Sequence, residues 1–444
     1  MRADKRGTLW IDITELFGEF AVASHPTGVS RVIINLSDAL GAEPGHFDKV
    51  QPIFWHPVLR RPLAVEEPGL GPLASFFPAL RSEYARSGAI SLQMRSGIKK
   101  GLITAIPKPI RFRVFPYLNG VTRFLGWARQ AGMRVGPIEF TSRDCLFVPG
   151  SFWLDGYAPR LGALARAKGA AVVGFVHDVL LLSNPEWLPV RHGQQFRRGV
   201  EAFLPHCSAI VCNSSYTRGE LKKHAKRAQN VAIDVCRLAD STHLPANGCF
   251  PQALAGLPGQ RYALLVSTLT ARKNHRLAVA AWQKLWNRFG ENTPWLVFVG
   301  GGGPDPMLAD LLARPTSYGD RIVQLPDVDD AALEDLYANA WITLYPSLGE
   351  GYGLPVAEAL ARGKACLTTR CGGIGEVSTD LTDLISPSDP EELAERVARY
   401  LENPIELAGR EEQIRKHFRP TRWNETARAV RKVLEDSTLR RSVL

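Results

Sequence analysis

Short apolar runs alternate with stretches of helical spacing along most of this chain. Residues 9–13 read as a first strand. After the turn Thr27-Gly28-Val29-Ser30-Arg31, residues 32–40 carry helical periodicity, and residues 50–55 read as a second strand. From Cys145 the rhythm is regular: strands at 145–148, 171–176 and 209–212 alternate with helices at 159–168, 193–203 and 217–226. Residues 241–260 lose the periodicity and gather Pro and Gly, as a linker does. The alternation then resumes with strands at 262–267, 295–300, 322–325, 342–345 and 365–368, the first two separated by a helix over 274–286. Helices at 391–402, 405–416 and 421–436 close the chain.

Strands alternating with helices predict a parallel sheet covered on both faces. Two such runs predict an α/β protein of two Rossmann-like, doubly wound domains, with a ligand cleft between the C-terminal edges of their sheets. The expected division is an N-terminal domain over 1–240, a linker over 241–260, a C-terminal domain over 261–420, and a last helix within 421–444 packing back on the N-terminal domain. Residues 57–140 have the weakest pattern and read as an insertion in the first domain.

Composition narrows the class. A chain of 444 residues with 45% hydrophobic and 22% charged residues fits a soluble globular protein of two or three domains. Seven cysteines occur without CxxC spacing, which argues against a disulfide framework or a zinc site and for reduced thiols in the cytoplasm. No run of ~18 apolar residues predicts a membrane span, and the basic N-terminus lacks the apolar core of a signal peptide. The net charge of +10 is unevenly placed. Between Glu83 and Glu139 there is no acid, while Arg86, Arg95, Lys99, Lys100, Lys108, Arg111, Arg113, Arg123, Arg129 and Arg134 alternate with Phe112, Phe115, Tyr117, Phe124 and Trp127. This window, 86–134, suits the anionic inner face of a plasma membrane, to which the protein would be peripheral. A plain solvated face fits equally well, and no specific nucleic acid is expected.

The chemistry concentrates in Ser347-Leu-Gly-Glu-Gly-Tyr-Gly-Leu-Pro-Val-Ala-Glu-Ala-Leu360. A strand ends at Pro346, glycines 349, 351 and 353 form a turn, and Pro355 suits a helix start. A glycine turn before a helix offers unpaired N–H groups to a diphosphate. Glu350 in the turn accepts hydrogen bonds only, so sugar hydroxyls are natural partners. Glu358, one turn into the helix, would reach a ribose diol. Arg272 and Lys273, adjacent at a strand end, suit a diphosphate, Lys as a point charge and Arg as a two-pronged donor. His177 and Asp178 stand at the end of an apolar strand, facing the expected cleft. Gly300–Gly303 reads better as a tight turn than as a phosphate loop. In Asp327-Val328-Asp329, helix capping is a better reading than metal binding. No metal or cofactor is expected. Arg31 at a helix start suits an anionic acceptor or the open surface. Asn213-Ser214-Ser215 would cap the next helix.

The order PSxxEGYGLPxxEA, followed by Gly372-Gly373-Ile374-Gly375-Glu376-Val377, resembles the retaining glycosyltransferases of family 4, which have the two-domain GT-B fold. The resemblance covers residues 140–435 well and 8–40 moderately, and leaves the basic insertion outside. It implies that Glu350 contacts the donor sugar and Glu358 the ribose of the nucleotide. It also implies a phosphate clamp at Arg272-Lys273-Asn274 and a first glycine loop at Gly28. His177 would lie near sugar and acceptor, with Asp178 orienting its imidazole or approaching the acceptor hydroxyl. One departure is Thr268, where many members carry Arg five positions before the Lys. The expected catalytic group is thus His177, Asp178 and Glu350. The expected donor contacts are Gly28, Arg272, Lys273, Gly351, Tyr352, Gly353, Leu354 and Glu358. The implied reaction moves a sugar from a nucleotide-diphosphate donor to a glycan or polyprenyl-linked acceptor in surface polysaccharide assembly. The R-K-N and TGVSRV forms lean towards bacterial mannosyl- and rhamnosyltransferases and GDP-mannose. A nucleotide-sugar epimerase or a noncatalytic membrane- or nucleic-acid-binding protein are the alternatives.

Overall fold

The structure is a computed structural model that describes residues 7–19, 28–66, 120–122, 124–126, 128–129, 132–153, 156–187, 190–240, 260–301, 308, 321–326, 328–378 and 380–439. All of the expected linker over 241–260 except Gln260, most of the basic window, and Thr27, Gly302, Gly303 and Asp327 lie outside these residues.

The first half is an eight-stranded sheet in the order β4-β3-β2-β1-β5-β6-β7-β8. Its strands are β1 (Thr8–Asp12), β2 (Lys49–His56), β3 (Arg61–Glu66), β4 (Arg134–Pro137), β5 (Cys145–Val148), β6 (Ala171–Val176), β7 (Ala209–Cys212) and β8 (Ala232–Val235). From β2 to β8 across β1 the pairing is parallel, while β3 and β4 join antiparallel at one edge. Every residue of β5, β6 and β7 is buried, as expected of strands covered on both faces. The helices of this half are α1 (Thr14–Glu19), α2 (Gly28–Ala42), α3 (Tyr157–Ala167), α4 (Leu180–Ser183), α5 (Val190–Phe203) and α6 (Ser215–His224).

The second half is a six-stranded, all-parallel sheet in the order β11-β10-β9-β12-β13-β14. The strands are β9 (Tyr262–Val266), β10 (Trp295–Val299), β11 (Ile322–Leu325), β12 (Ile342–Tyr345), β13 (Cys366–Thr368) and β14 (Asp383–Leu384). Its helices are α7 (His275–Phe289), α8 (Asp330–Asn339), α9 (Leu354–Ala361), α10 (Ile374–Ser378), α11 (Pro390–Glu402) and α12 (Pro404–His417). Trp282 of α7 is fully buried and its indole N–H donates to the Pro294 carbonyl at 2.8 Å, so its large apolar body is buried without an orphaned donor. The last helix, α13 (Trp423–Leu439), packs against α2 and the underside of β5–β7, sharing a core with the first sheet through Ala427, Val430 and Leu434.

This is the α/β class expected, and the ten strands read from the sequence lie within a few residues of their predicted bounds, while β3, β4, β8 and β14 had no predicted counterpart. Part of the stretch read as an irregular insertion is regular. β3 and β4 extend the sheet there, and Val121, Phe124 and Ala128 are buried in the core. Phe124 lies 5.1 Å from Phe17 and 5.6 Å from Phe54 between ring centroids. It is therefore a core residue, unavailable to a lipid surface.

Candidate active site

Strand order places the site. In the second sheet β9 is followed by β10 on one side, and the chain later returns to β12 on the other. The loops leaving β9 and β12 therefore diverge around a crevice, the switch point where α/β folds bind ligands. The loop after β9 carries Arg272 and Lys273 in a single turn of 3-10 helix. Asn274 then takes a left-handed conformation with φ 57° to start α7, and its amide ties down the Pro346 and Pro387 carbonyls. Asparagine tolerates that conformation better than most residues, which accounts for the R-K-N order. The loop after β12 carries Glu350 and ends at Gly353, whose φ of 101° only glycine adopts readily, before α9 begins.

Both cations converge on Glu350. Its Oε1 accepts from Lys273 Nζ at 2.6 Å, Arg272 Nη1 at 2.7 Å and Ser347 Oγ at 2.5 Å. Arg272 also donates to the Gly349 carbonyl at 2.5 Å, and Lys273 to the Tyr345 hydroxyl at 2.7 Å. Burial would raise the Glu350 carboxyl, but Lys273 and Arg272 outweigh it and hold the group below its usual range. Burial pushes the Lys273 ammonium below the usual lysine value, against the pull of Glu350. Both cations are held by Glu350 and also feel the Asp178 carboxylate, so the cluster is close to formal balance. It presents a diphosphate with two preplaced N–H donor groups rather than with a bare surplus of charge.

The first half supplies the opposite wall. His177 follows β6 and stacks on Phe175 with ring centroids 4.7 Å apart. Its Nε2 is 2.6 Å from the Pro149 carbonyl, which can only accept, so Nε2 carries the hydrogen and Nδ1 the lone pair in the neutral ring. The imidazole is thus oriented by Pro149 rather than by Asp178, whose Oδ1 accepts from Leu180 N at 3.3 Å. Burial raises the Asp178 carboxyl, opposed by the nearby Arg272. Burial pushes the His177 imidazole down to about 4 from 6.5. The folded state therefore disfavours the proton: stability from the neutral ring is full above pH ~6.5 and is lost as pH falls from there towards ~4. We expect the His177 ring signals in an NMR titration to stay at their neutral positions from pH 8 to pH 5. A midpoint near 6.5 would contradict the buried environment.

The two halves meet at the glycine turn. A Cβ on Gly351 would lie 2.1 Å from the His177 carbonyl oxygen, so only glycine permits this approach. The Gly351 carbonyl accepts from Ser214 Oγ at 2.6 Å and Thr217 Oγ1 at 3.2 Å, and Asn213 Nδ2 donates to the His177 carbonyl at 2.6 Å. Ser214 also caps α6 through Thr217 N. The Glu376 carboxylate accepts from Ser215 N and Tyr216 N at 2.8 and 2.7 Å, the start of that same helix.

The structure thus brings together Arg272, Lys273, Glu350, Gly351, His177 and Asp178, with Leu354 opening α9. Gly28 opens α2, and nothing stands within 4 Å of where its Cβ would be. Glu358 is buried deeper, its Oε2 accepting from the Tyr337 hydroxyl at 2.9 Å. Tyr352 departs from expectation. Its side chain is buried in the core of the first half, with the hydroxyl donating to the Leu238 carbonyl at 2.8 Å, so it is turned away from the donor loop. Arg31 also departs: it reaches neither open solvent nor an open acceptor pocket but pairs with Glu358, Nη1 to Oε1, at 3.0 Å. Asp329 caps α8 through Ala332 N. Ser347, Tyr345 and Tyr337 were not singled out from the sequence. Their spacing around the strand and glycine turn was visible, but nothing in it told which way their hydroxyls point. Among the described residues no group of three or more His, Cys, Asp or Glu is placed to hold a metal ion, and no helix is long and apolar enough to cross a membrane.

Known proteins resemble this chain in sequence and in fold. Residues 252–417 match the family described as "Glycosyl transferases group 1". The chain is 31% identical over 304 residues to D-inositol 3-phosphate glycosyltransferase 2 of Catenulispora acidiphila, covering 64% of this chain and 69% of that protein. It is 25% identical over 248 residues to the serotype-specific mannosyltransferase WbdA of Escherichia coli, covering 53% of this chain but only 30% of that protein. Sucrose-phosphate synthase from Thermosynechococcus elongatus superposes with a TM-score of 0.58 at 17% identity, covering 98% of this chain and 97% of that one. The fold is the two-domain GT-B arrangement, and the chain belongs to the group 1 glycosyltransferases.

Proposed function

We propose that this chain transfers a sugar from a nucleoside-diphosphate donor to a hydroxyl of a glycan or polyprenyl-linked acceptor, with retention at the anomeric carbon. The observation that carries this reading is the convergence of Arg272 and Lys273 on Glu350 at the sheet's switch point, opposite His177 and Asp178. A diphosphate entering the crevice is met by the N–H donors of Arg272 and Lys273, with the N-terminus of α9 supplying further N–H groups. The bond from the anomeric carbon to the phosphate oxygen breaks, and its electron pair leaves with the diphosphate. Lys273 and Arg272 stabilise that growing charge. The acceptor oxygen attacks from the same face, and its proton passes to the departing phosphate oxygen. Glu350 and His177 Nδ1 accept from sugar hydroxyls, and Glu358 from the ribose.

Mannose from GDP-mannose is the donor this reading favours, in line with the name of the Escherichia coli relative, and surface polysaccharide is the favoured product class. The test is to offer GDP-mannose, UDP-glucose and dTDP-rhamnose with a lipid-linked glycan fraction and to determine product linkage by NMR. An α-linked product from an α-linked donor, formed only with acceptor present, is expected. Release of an epimerised sugar nucleotide without acceptor would contradict it.

The reading places the protein on the cytoplasmic side of the membrane. It rests the basic stretch 86–134 on anionic lipid, a view supported by composition alone. Flotation with anionic vesicles should be lost on charge reversal across 95–134, and unchanged flotation would end that part of the reading.

A further inference from the structure

Arg31 is the fourth residue of α2, on the first half's side of the cleft, yet its side chain is only 16% exposed. Its Nη1 is 3.0 Å from Glu358 Oε1 and its Nε 3.9 Å from Asp330 Oδ1, both in the second half. Burial alone would make the guanidinium easier to deprotonate, but the Glu358 and Asp330 charges outweigh it. The Glu358 carboxylate is thus held at both oxygens, by Arg31 of one half on Oε1 and by Tyr337 of the other on Oε2. Each carboxylate oxygen accepts about two hydrogen bonds, so one position remains on each for a neighbouring pair of hydroxyls.

We propose that Arg31 is a positioning residue of the donor site: it holds the Glu358 carboxylate from the opposite half, so that ribose recognition is complete only when the two halves are together. The proposal rests on the reading of Glu358 as the ribose ligand. Because linkage is reciprocal, ribose binding then favours the closed molecule by the same factor that closure favours ribose. Tyr337 alone leaves the carboxylate free to rotate about its terminal bond. A buried carboxylate stripped of its cation is also poorly stabilised, which is why one partner of such a pair is missed more than the pair itself.

The experiment compares GDP, UDP and ADP with their 2′,3′-dideoxy analogues by titration calorimetry. The ratio of the two dissociation constants measures ribose recognition. In the wild type one ribonucleotide should bind well above its dideoxy analogue, and Glu358→Gln should abolish the difference. Arg31→Ala should cut the ratio about tenfold, the scale of coupling between contacting residues. It should leave dideoxy binding unchanged, and the double variant should lose no more than Glu358→Gln alone. Arg31→Lys should recover part of the ratio, and Arg31→Gln replaces the alanine variant if that one does not fold. If Glu358→Gln lowers the ratio and neither Arg31→Ala nor Arg31→Gln does, the proposal is overturned while the ribose reading stands. If Glu358→Gln leaves the ratio at its wild-type value, or no nucleotide binds, the ribose reading itself fails and the proposal with it.

Discussion

Replacing Lys273 with Ala is expected to lower kcat about 10²- to 10³-fold, the range for removing one charge-stabilising donor from an active site. The ammonium already sits in a buried position where it is less easily kept charged, and Glu350 is what keeps it so. Its charge becomes most useful as the diphosphate departs, so kcat should fall more than KM rises. The fold should survive, because Glu350 retains Arg272 and Ser347 as partners. Steady-state kinetics with thermal unfolding of the same preparation make the check. Wild-type kcat in a folded Lys273→Ala would show that the leaving group is stabilised elsewhere.

The second large effect is expected from a single methyl group. In Gly351→Ala the new Cβ would lie 2.1 Å from the His177 carbonyl oxygen and 2.8 Å from Asp178 Cβ. The nearer atom is backbone and cannot swing aside as a side-chain end would. Either the halves separate or the 349–353 loop moves, and misplacement of about 1 Å costs about 100-fold in a positioned reaction. We expect kcat/KM to fall by about that factor or more. Nucleoside-diphosphate binding should fall far less, because Arg272 and Lys273 belong to the half that carries the loop. Near-normal kcat/KM would mean that the working enzyme never brings Gly351 this close to His177.

These expectations draw on features of unequal visibility in the sequence. The two doubly wound sheets were legible because their strands are short and apolar and alternate with helices. Lys273, Arg272 and Glu350 were legible because two cations before a helix, and a carboxylate in a glycine turn, are poor choices for ordinary structure. Tyr352 was misread because a tyrosine in that turn can face either wall. Its direction is set by the Leu238 carbonyl, far away in the chain. Arg31 was misread for the same reason: its partner Glu358 lies in the other half, and only docking of the halves joins them. β3 and β4 escaped notice because each carries Pro, with Gly in β4, residues that strands usually avoid. Phe124 lay among cations and looked exposed, while its partners Phe17 and Phe54 come from earlier elements.

The central claim is that the Arg272–Lys273–Glu350 cluster is a nucleoside-diphosphate site. Its most direct test is titration calorimetry of GDP, UDP, dTDP, ADP and CMP into the wild type and Lys273→Ala, each with Mg²⁺ and with EDTA. The account predicts that one diphosphate binds clearly, that EDTA leaves the affinity unchanged, and that Lys273→Ala weakens it. Absence of binding by every diphosphate, or equal affinity in Lys273→Ala, would contradict it.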